Sequence, residues 1–144
     1  MRLRRGAVVV VLLSLGLSTA TRVYVWGDGS RLWAEAVRHS PEKPRPWINR
    51  AREYQMRGND VAAWRDLRHA LTLSQIPRRD RLEGPMRPAD AARLGMALIW
   101  ANRGDYREAL RISAQIRPRN PGSFVNAVEA RWASILEFGT GPDF

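Results

Sequence analysis

The feature that most constrains the fold of this chain is an internal repeat. One series of small and aromatic residues occurs twice with the same spacings, and the second series lies 46 residues after the first. The first series is Trp47, Ala51, Tyr54, Gly58, Ala63, Leu67 and Ala70, and the second is Arg93, Ala97, Trp100, Gly104, Ala109 and Ser113. Self-similarity at such a period indicates stacked copies of one supersecondary unit.

A third, partial copy gives the underlying period. Trp33, Ala36 and Val37 precede Leu67, Ala70 and Leu71 by 34 residues. The two full copies are therefore separated by an insertion of 12 residues, which falls at about 76–88. This stretch contains three prolines and four arginines, so it is predicted to form an exposed loop.

The 34-residue helix–turn–helix period resembles the tetratricopeptide repeat. The matching residues are Trp47, Ala51, Tyr54, Ala63, Leu67 and Ala70 in the first copy, and Ala97, Trp100, Ala109 and Pro121 in the second. The sequence departs from the family pattern at Arg50, Gln75, Arg93 and Ser113. The resemblance implies an α-solenoid whose first helices line a concave surface, but it does not imply a particular ligand.

Hydrophobic residues recur at helical spacing throughout the repeats, so the predicted fold class is all-α. Helices are expected at residues 29–39, 45–57, 60–73, 89–102, 105–116 and 123–137. The domain organisation is a membrane segment at 1–26, a helical repeat domain at 27–138 and a tail at 139–144. The last helix is expected to close the stack.

Residues 1–26 are predicted to target the chain to a membrane. Three arginines in the first five residues precede an uncharged, mostly apolar stretch at 6–21, as in a signal sequence. Two outcomes remain open. The segment is cleaved after Ala20 and leaves a periplasmic or secreted protein, or it remains as an anchor, since a helix extended to Trp26 would span about 31 Å. In both, the domain lies outside the cytoplasm.

The junction after this segment carries a second resemblance, through Thr21-Arg22, Val25-Trp26, Leu32-Trp33, Ala36-Val37 and Ser40-Pro41. It is similar to the join between the last membrane helix and the first repeat in multi-spanning membrane proteins with tetratricopeptide tails, many of them related to mannosyltransferases. The resemblance implies a retained membrane helix and repeats that face the periplasm. It implies no catalysis, because the spans and acidic loops of such enzymes are not present.

Composition excludes several classes of active site. The sequence has no cysteine and only two histidines, His39 and His69, so thiolate zinc sites and cysteine nucleophiles are excluded. No serine has a base at a recognisable spacing. We therefore expect no enzyme activity, no metal, no cofactor and no small-molecule substrate. The net charge of +10 and pI of about 11.5 permit phosphate binding, but predicted export and the absence of a nucleic-acid-binding motif argue against it.

The predicted function is a membrane-anchored, extracytoplasmic scaffold that binds another protein without catalysis. The resemblance places the following residues on its concave surface: Arg45, Ile48, Arg52 and Gln55, then Ala91, Leu94, Leu98 and Ala101. One half of this surface is basic and polar and the other is apolar. Two alternatives remain: an accessory or detached module of a membrane glycosyltransferase system, and a basic binder of anionic lipid or glycan at the membrane surface.

Overall fold

The structure is a computed structural model that describes residues 27–76, 86–116 and 123–139, with the single residues 14, 15 and 19. The described ranges contain six helices: α1 (Gly29–His39), α2 (Pro44–Met56), α3 (Asp60–Gln75), α4 (Pro88–Asn102), α5 (Tyr106–Ser113) and α6 (Phe124–Phe138). No strand occurs within those ranges. The all-α prediction is therefore confirmed, and five of the six predicted helices agree with the structure to within two residues at each end.

Each helix begins at a residue suited to start one. The side chains of Asp28, Asn59, Asp105 and Ser123 accept a hydrogen bond from a backbone N–H in the first turn of α1, α3, α5 and α6. The other two helices, α2 and α4, begin with a proline at the first helical position, where the missing N–H costs nothing. Local sequence thus fixes where the elements start.

Two helical hairpins, α2–α3 and α4–α5, form the centre of the molecule. The turns between their helices are equivalent atom for atom in their hydrogen bonds. The backbone N–H of Asn59 donates to Tyr54 O over 2.8 Å, and that of Asp105 donates to Trp100 O over 3.0 Å. The turns pass through glycines with φ of 71° at Gly58 and 81° at Gly104, in the left-handed region that favours glycine. The repeat in the sequence is therefore a repeat in the structure.

The core lies inside and between the hairpins. The four alanines that occupy equivalent positions in the two copies are fully buried, which lets the paired helices approach closely: Ala51, Ala63, Ala97 and Ala109. Leu67 of α3 packs over Gly95 of α4, so closely that a Cβ at Gly95 would lie 2.9 Å from the leucine Cδ2. The first helices of the two hairpins, α2 and α4, also contact each other. Between them, the side-chain amide of Gln55 donates a hydrogen bond to Gly95 O over 2.8 Å.

A single helix flanks the hairpins at each end, α1 against α2 and α6 against α5. Two ion pairs of one kind join successive units. Arg57, which ends α2, pairs with Asp28 at the start of α1 over 2.6 Å, and Arg103, which ends α4, pairs with Asp60 at the start of α3 over 3.2 Å. Both are exposed and individually weak, but they show that α1 stands to α2 as α3 stands to α4.

The prediction for the fifth helix was too long at its end. Helix α5 ends at Ser113, three residues before the predicted end at 116. Beyond it the N–H groups of Gln115 and Ile116 bond to carbonyls three residues back, those of Ile112 and Ser113, in a tighter turn than an α-helix. The side chain of Ile116, which lies in this turn, is buried. The early end of α5 therefore coincides with burial of the isoleucine side chain.

Within the described ranges, no helix has both the length and the apolar character needed to cross a membrane. The predicted membrane segment at 1–26 lies outside the described residues, apart from residues 14, 15 and 19. The middle of the predicted loop, 77–85, and the tail at 140–144 lie outside them as well.

Candidate functional site

The face shared by α2 and α4 is the candidate interaction surface, which we call the α2–α4 surface. The residues predicted from the sequence lie on these two helices, and the structure gives them different environments. Arg45 and Arg52 are exposed on α2. They are two helical turns apart, about 10 Å along the axis, so they present two positive charges in one row.

The remaining predicted residues are less accessible. Leu94 and Leu98 on α4 are half-buried, and Leu98 packs against the core. Gln55 is half-buried and its amide is engaged by Gly95 O. Ile48 is buried at 8 % exposure and belongs to the core, so it supports the surface from below and is not available to a ligand. The accessible part therefore consists of the two exposed arginines of α2 and the half-buried leucines Leu94 and Leu98 of α4.

The sequence analysis missed an ion pair inside the first hairpin. Arg50 Nε and Nη2 donate to the two carboxylate oxygens of Asp66 over 2.6 and 2.9 Å. Asp66 is fully buried and the Arg50 side chain is only 15 % exposed. The hydrogen bonds to the carboxylate raise the pKa of the Arg50 guanidinium, which stays charged in any case. This bidentate geometry is the strong form of the arginine–carboxylate contact.

Aromatic side chains surround this arginine. The Arg50 guanidinium carbon lies 4.7 Å from the ring centroid of Trp47 and 5.8 Å from that of Tyr54, within cation–π range. His69 meets the Trp47 ring edge to face with centroids 4.2 Å apart. Trp47 Nε1 also donates to Pro41 O over 2.8 Å. These contacts, with the bonds to Asp66, explain how α2 accommodates an arginine side chain that is only 15 % exposed.

The second hairpin has apolar residues at the same two positions. Met96 and Ile112 lie 46 residues after Arg50 and Asp66, and both are buried, at 7 % and 6 % exposure. A signal for the missed pair was therefore present in the sequence. The first copy has two opposite charges at the positions where the second copy has two hydrophobic residues.

A second buried carboxylate lies at the start of α4. Asp90 is 6 % exposed and pairs with Arg87 over 2.6 Å and with Arg93 over 3.5 Å. Arg93 takes the place of the aromatic that begins the first copy. Nε of Arg93 is buried and has no hydrogen-bond partner, although its Nη1 lies near the carboxylate. The contacts anchor the first turn of α4.

Catalytic and metal-binding arrangements were also sought in the described ranges. Those ranges contain no group of three histidine or acidic side chains able to hold a metal ion. On α1, His39 Nε2 lies 3.5 Å from Glu35 Oε1, and the His69 ring packs against Trp47. The observed arrangement is suited to binding. It offers the positive charges of Arg45 and Arg52 and the apolar side chains of Leu94 and Leu98, and Gln55 joins the two helices.

No protein-family model matches the chain, and no curated protein or solved structure shows significant similarity to it.

Proposed function

We propose that the chain is a non-catalytic protein-interaction module, a short α-solenoid of the tetratricopeptide type attached to a membrane by its N-terminal segment. The observation that carries the proposal is the side-by-side packing of α2 and α4, joined by the bond from Gln55 to Gly95. Stacked hairpins that align their first helices produce a continuous surface for an extended or helical segment of another protein.

The chemistry of the α2–α4 surface defines the partner. Arg45 and Arg52 would bind two acidic groups about 10 Å apart. Leu94 and Leu98 would bury aliphatic or aromatic side chains that follow along the same segment. The partner is therefore a protein segment with one acidic end and one apolar end, presented outside the cytoplasm if the N-terminal segment exports the domain.

Site-specific photocrosslinking tests this surface. A benzophenone amino acid would be placed at Leu94, which is half-buried on α4, and at Val61, which is 79 % exposed on α3. We expect a crosslinked protein adduct in membranes of the producing cells from position 94 and none of the same mass from position 61. The charge reversal Arg52→Glu should remove that adduct, because it repels the acidic end of the partner.

The matched control is Arg68→Glu, which reverses an exposed arginine on α3 and should leave the adduct unchanged. An adduct that forms equally from both positions, or that persists in Arg52→Glu, would show that the α2–α4 surface does not bind the partner.

A further inference from the structure

Two large apolar side chains are exposed at the turn of the first hairpin. Met56 ends α2 and is 68 % exposed, and Val61 is the second residue of α3 and is 79 % exposed. The positions 46 residues later, at the turn of the second hairpin, hold Asn102 and Arg107, which are also exposed. Single exposed apolar residues are ordinary on protein surfaces, but here the equivalent turn of the same chain has polar ones. The apolar pair is therefore particular to the first turn.

The first turn is also the place where the N-terminal segment joins the stack. Only Gly27 and Asp28 separate residues 1–26 from α1, and two residues span at most about 7 Å. Asp28 is held over 2.6 Å by Arg57, the residue that follows Met56. A segment embedded in the bilayer up to its last residue therefore brings the lipid surface next to this turn.

The carboxylates beside the turn are paired or partly covered. Asp28 is paired with Arg57, and Asp60 is paired with Arg103 over 3.2 Å. Glu53, the carboxylate of α2, is half-buried, and its oxygens lie against the start of α1. The negative charges at this edge are therefore held by the protein itself, which lowers their repulsion of an anionic lipid surface.

A cation lies one helical turn above the apolar pair. Arg65 follows Val61 by one turn of α3, about 6 Å along the axis. Its side chain is 73 % exposed and has a contact of 3.9 Å with Asp66. When Val61 lies at the boundary of the acyl chains, the guanidinium of Arg65 lies at the level of the lipid phosphates, which is the arrangement that arginines adopt at membrane surfaces.

We propose that the turn between α2 and α3 inserts Met56 and Val61 into the surface of the bilayer that holds the N-terminal segment, with Arg65 at the level of the phosphates. The inference rests on the membrane attachment proposed above and adds an orientation to it. The turn of the first hairpin faces the lipid, and α3 stands along the bilayer normal. The α2–α4 surface is then open to a partner from the side.

The test uses the full-length chain reconstituted into vesicles of equal parts phosphatidylcholine and phosphatidylglycerol. The chain has no cysteine, so Val61→Cys or Thr72→Cys provides one position for a fluorophore. Thr72 is exposed on α3, about 16 Å farther along the helix. Quenching by lipids with a nitroxide on the acyl chain should be at least about threefold stronger at position 61, because interfacial apolar groups reach about 5–10 Å into the bilayer.

A second pair of variants separates insertion from simple closeness to the membrane segment. Met56→Asp should lower the quenching at position 61 at least about twofold, because a carboxylate is unfavourable at the acyl boundary. The matched control is Asn102→Asp, the same new side chain at the equivalent exposed position of the second turn, and it should leave the quenching unchanged. Circular dichroism verifies that the helices remain intact in both variants.

Two results would overturn the inference while the membrane attachment stands. One is equal quenching at positions 61 and 72 in chains that float with the vesicles on a sucrose gradient. The other is equal quenching at position 61 in Met56→Asp and Asn102→Asp, which would mean that the turn lies near the lipid without inserting. A full-length chain that does not float with the vesicles would overturn both the inference and the attachment.

Discussion

Arg50 and Asp66 are the clearest case of a single pair of residues that distinguishes one hairpin from the other. The Asp66 carboxylate is fully buried and accepts hydrogen bonds from two of the three guanidinium nitrogens of Arg50. Burying the two charges costs free energy that the ion pair only partly recovers. At the same positions the second hairpin has Met96 and Ile112, which bury hydrophobic surface with no such cost.

Removing one partner should therefore be worse than replacing both. The single change Arg50→Met should lower the free energy of unfolding by about 3–5 kcal/mol. It removes both hydrogen bonds to the buried carboxylate and leaves it only the distant contact with the exposed Arg65, 3.9 Å away. The double change Arg50→Met with Asp66→Ile should return it to within about 1 kcal/mol of the original chain, or raise it. Urea unfolding followed by circular dichroism measures both.

Arg68→Met serves as the control, since this arginine is exposed on α3 and its loss should change stability by less than about 0.5 kcal/mol. A double variant as unstable as the single one would contradict the view that the two hairpins have interchangeable interiors.

Asp28 makes stability depend on pH in the acid range. Its hydrogen bonds from Ser30, followed by that from Arg57, lower its pKa from 3.8 to about 2. A lowered pKa in the folded state stabilises the fold above pH about 4, and the contribution is lost as the pH falls toward 2. The change Asp28→Asn should therefore destabilise the chain at pH 6 but flatten its stability profile between pH 4 and 2. Thermal unfolding across that range measures this, and an unchanged profile would show that Asp28 does not link α1 to α2.

At the scale of elements, the turns within the hairpins depend on glycine. Gly104 has a positive φ and open space around the position of a Cβ. The change Gly104→Ala should thus cost about 1 kcal/mol, from the left-handed backbone alone and not from a clash. Asn102→Ala, at an exposed position of the same helix end, is the control and should be close to neutral. Denaturant unfolding would refute the prediction if both variants matched the original chain.

How much of the molecule the sequence predicts depends on the kind of contact. The helices and their turns were predictable because the spacing of Ala51, Gly58 and Ala63 recurs 46 residues later, and such spacing reports contacts along and between adjacent helices. The Arg50–Asp66 and Arg87–Asp90 pairs were not predicted, because the sequence pattern is equally compatible with exposed, solvated side chains at those positions. Their burial depends on which neighbouring helix covers them.

The candidate site shows the same division. Arg45 and Arg52 are exposed as expected, while Ile48 belongs to the core. Position in a repeat predicts the face of a helix, but the depth of a side chain depends on the size of its neighbours.

At the scale of the whole molecule, each unit contacts mainly its immediate neighbours, as in other repeat arrays. The described stack has two complete hairpins and one additional helix at each end. Stability in such an array is approximately a sum of the units and their interfaces. Ligands that cover an end helix should therefore raise the stability of the whole stack.

The location of the chain is tested by fractionation of a C-terminally tagged full-length product. We expect a product of full mass in the membrane pellet after carbonate extraction, with the tag reached by protease only when the outer envelope is opened. A soluble product shortened by about 20 residues would mean that the N-terminal segment is a cleaved signal peptide. A tag in the cytoplasmic fraction would contradict export altogether.

The buried ion pair of the first hairpin also constrains how related sequences can diverge. A substitution at position 50 or at position 66 alone passes through a chain in which a buried charge has lost its two hydrogen bonds. Descendants of this sequence should therefore change the two positions together, and an alignment of them should show arginine with aspartate, or two apolar residues, but few mixed pairs. Within this chain, the second hairpin already has the apolar combination, Met96 with Ile112, at the two equivalent positions.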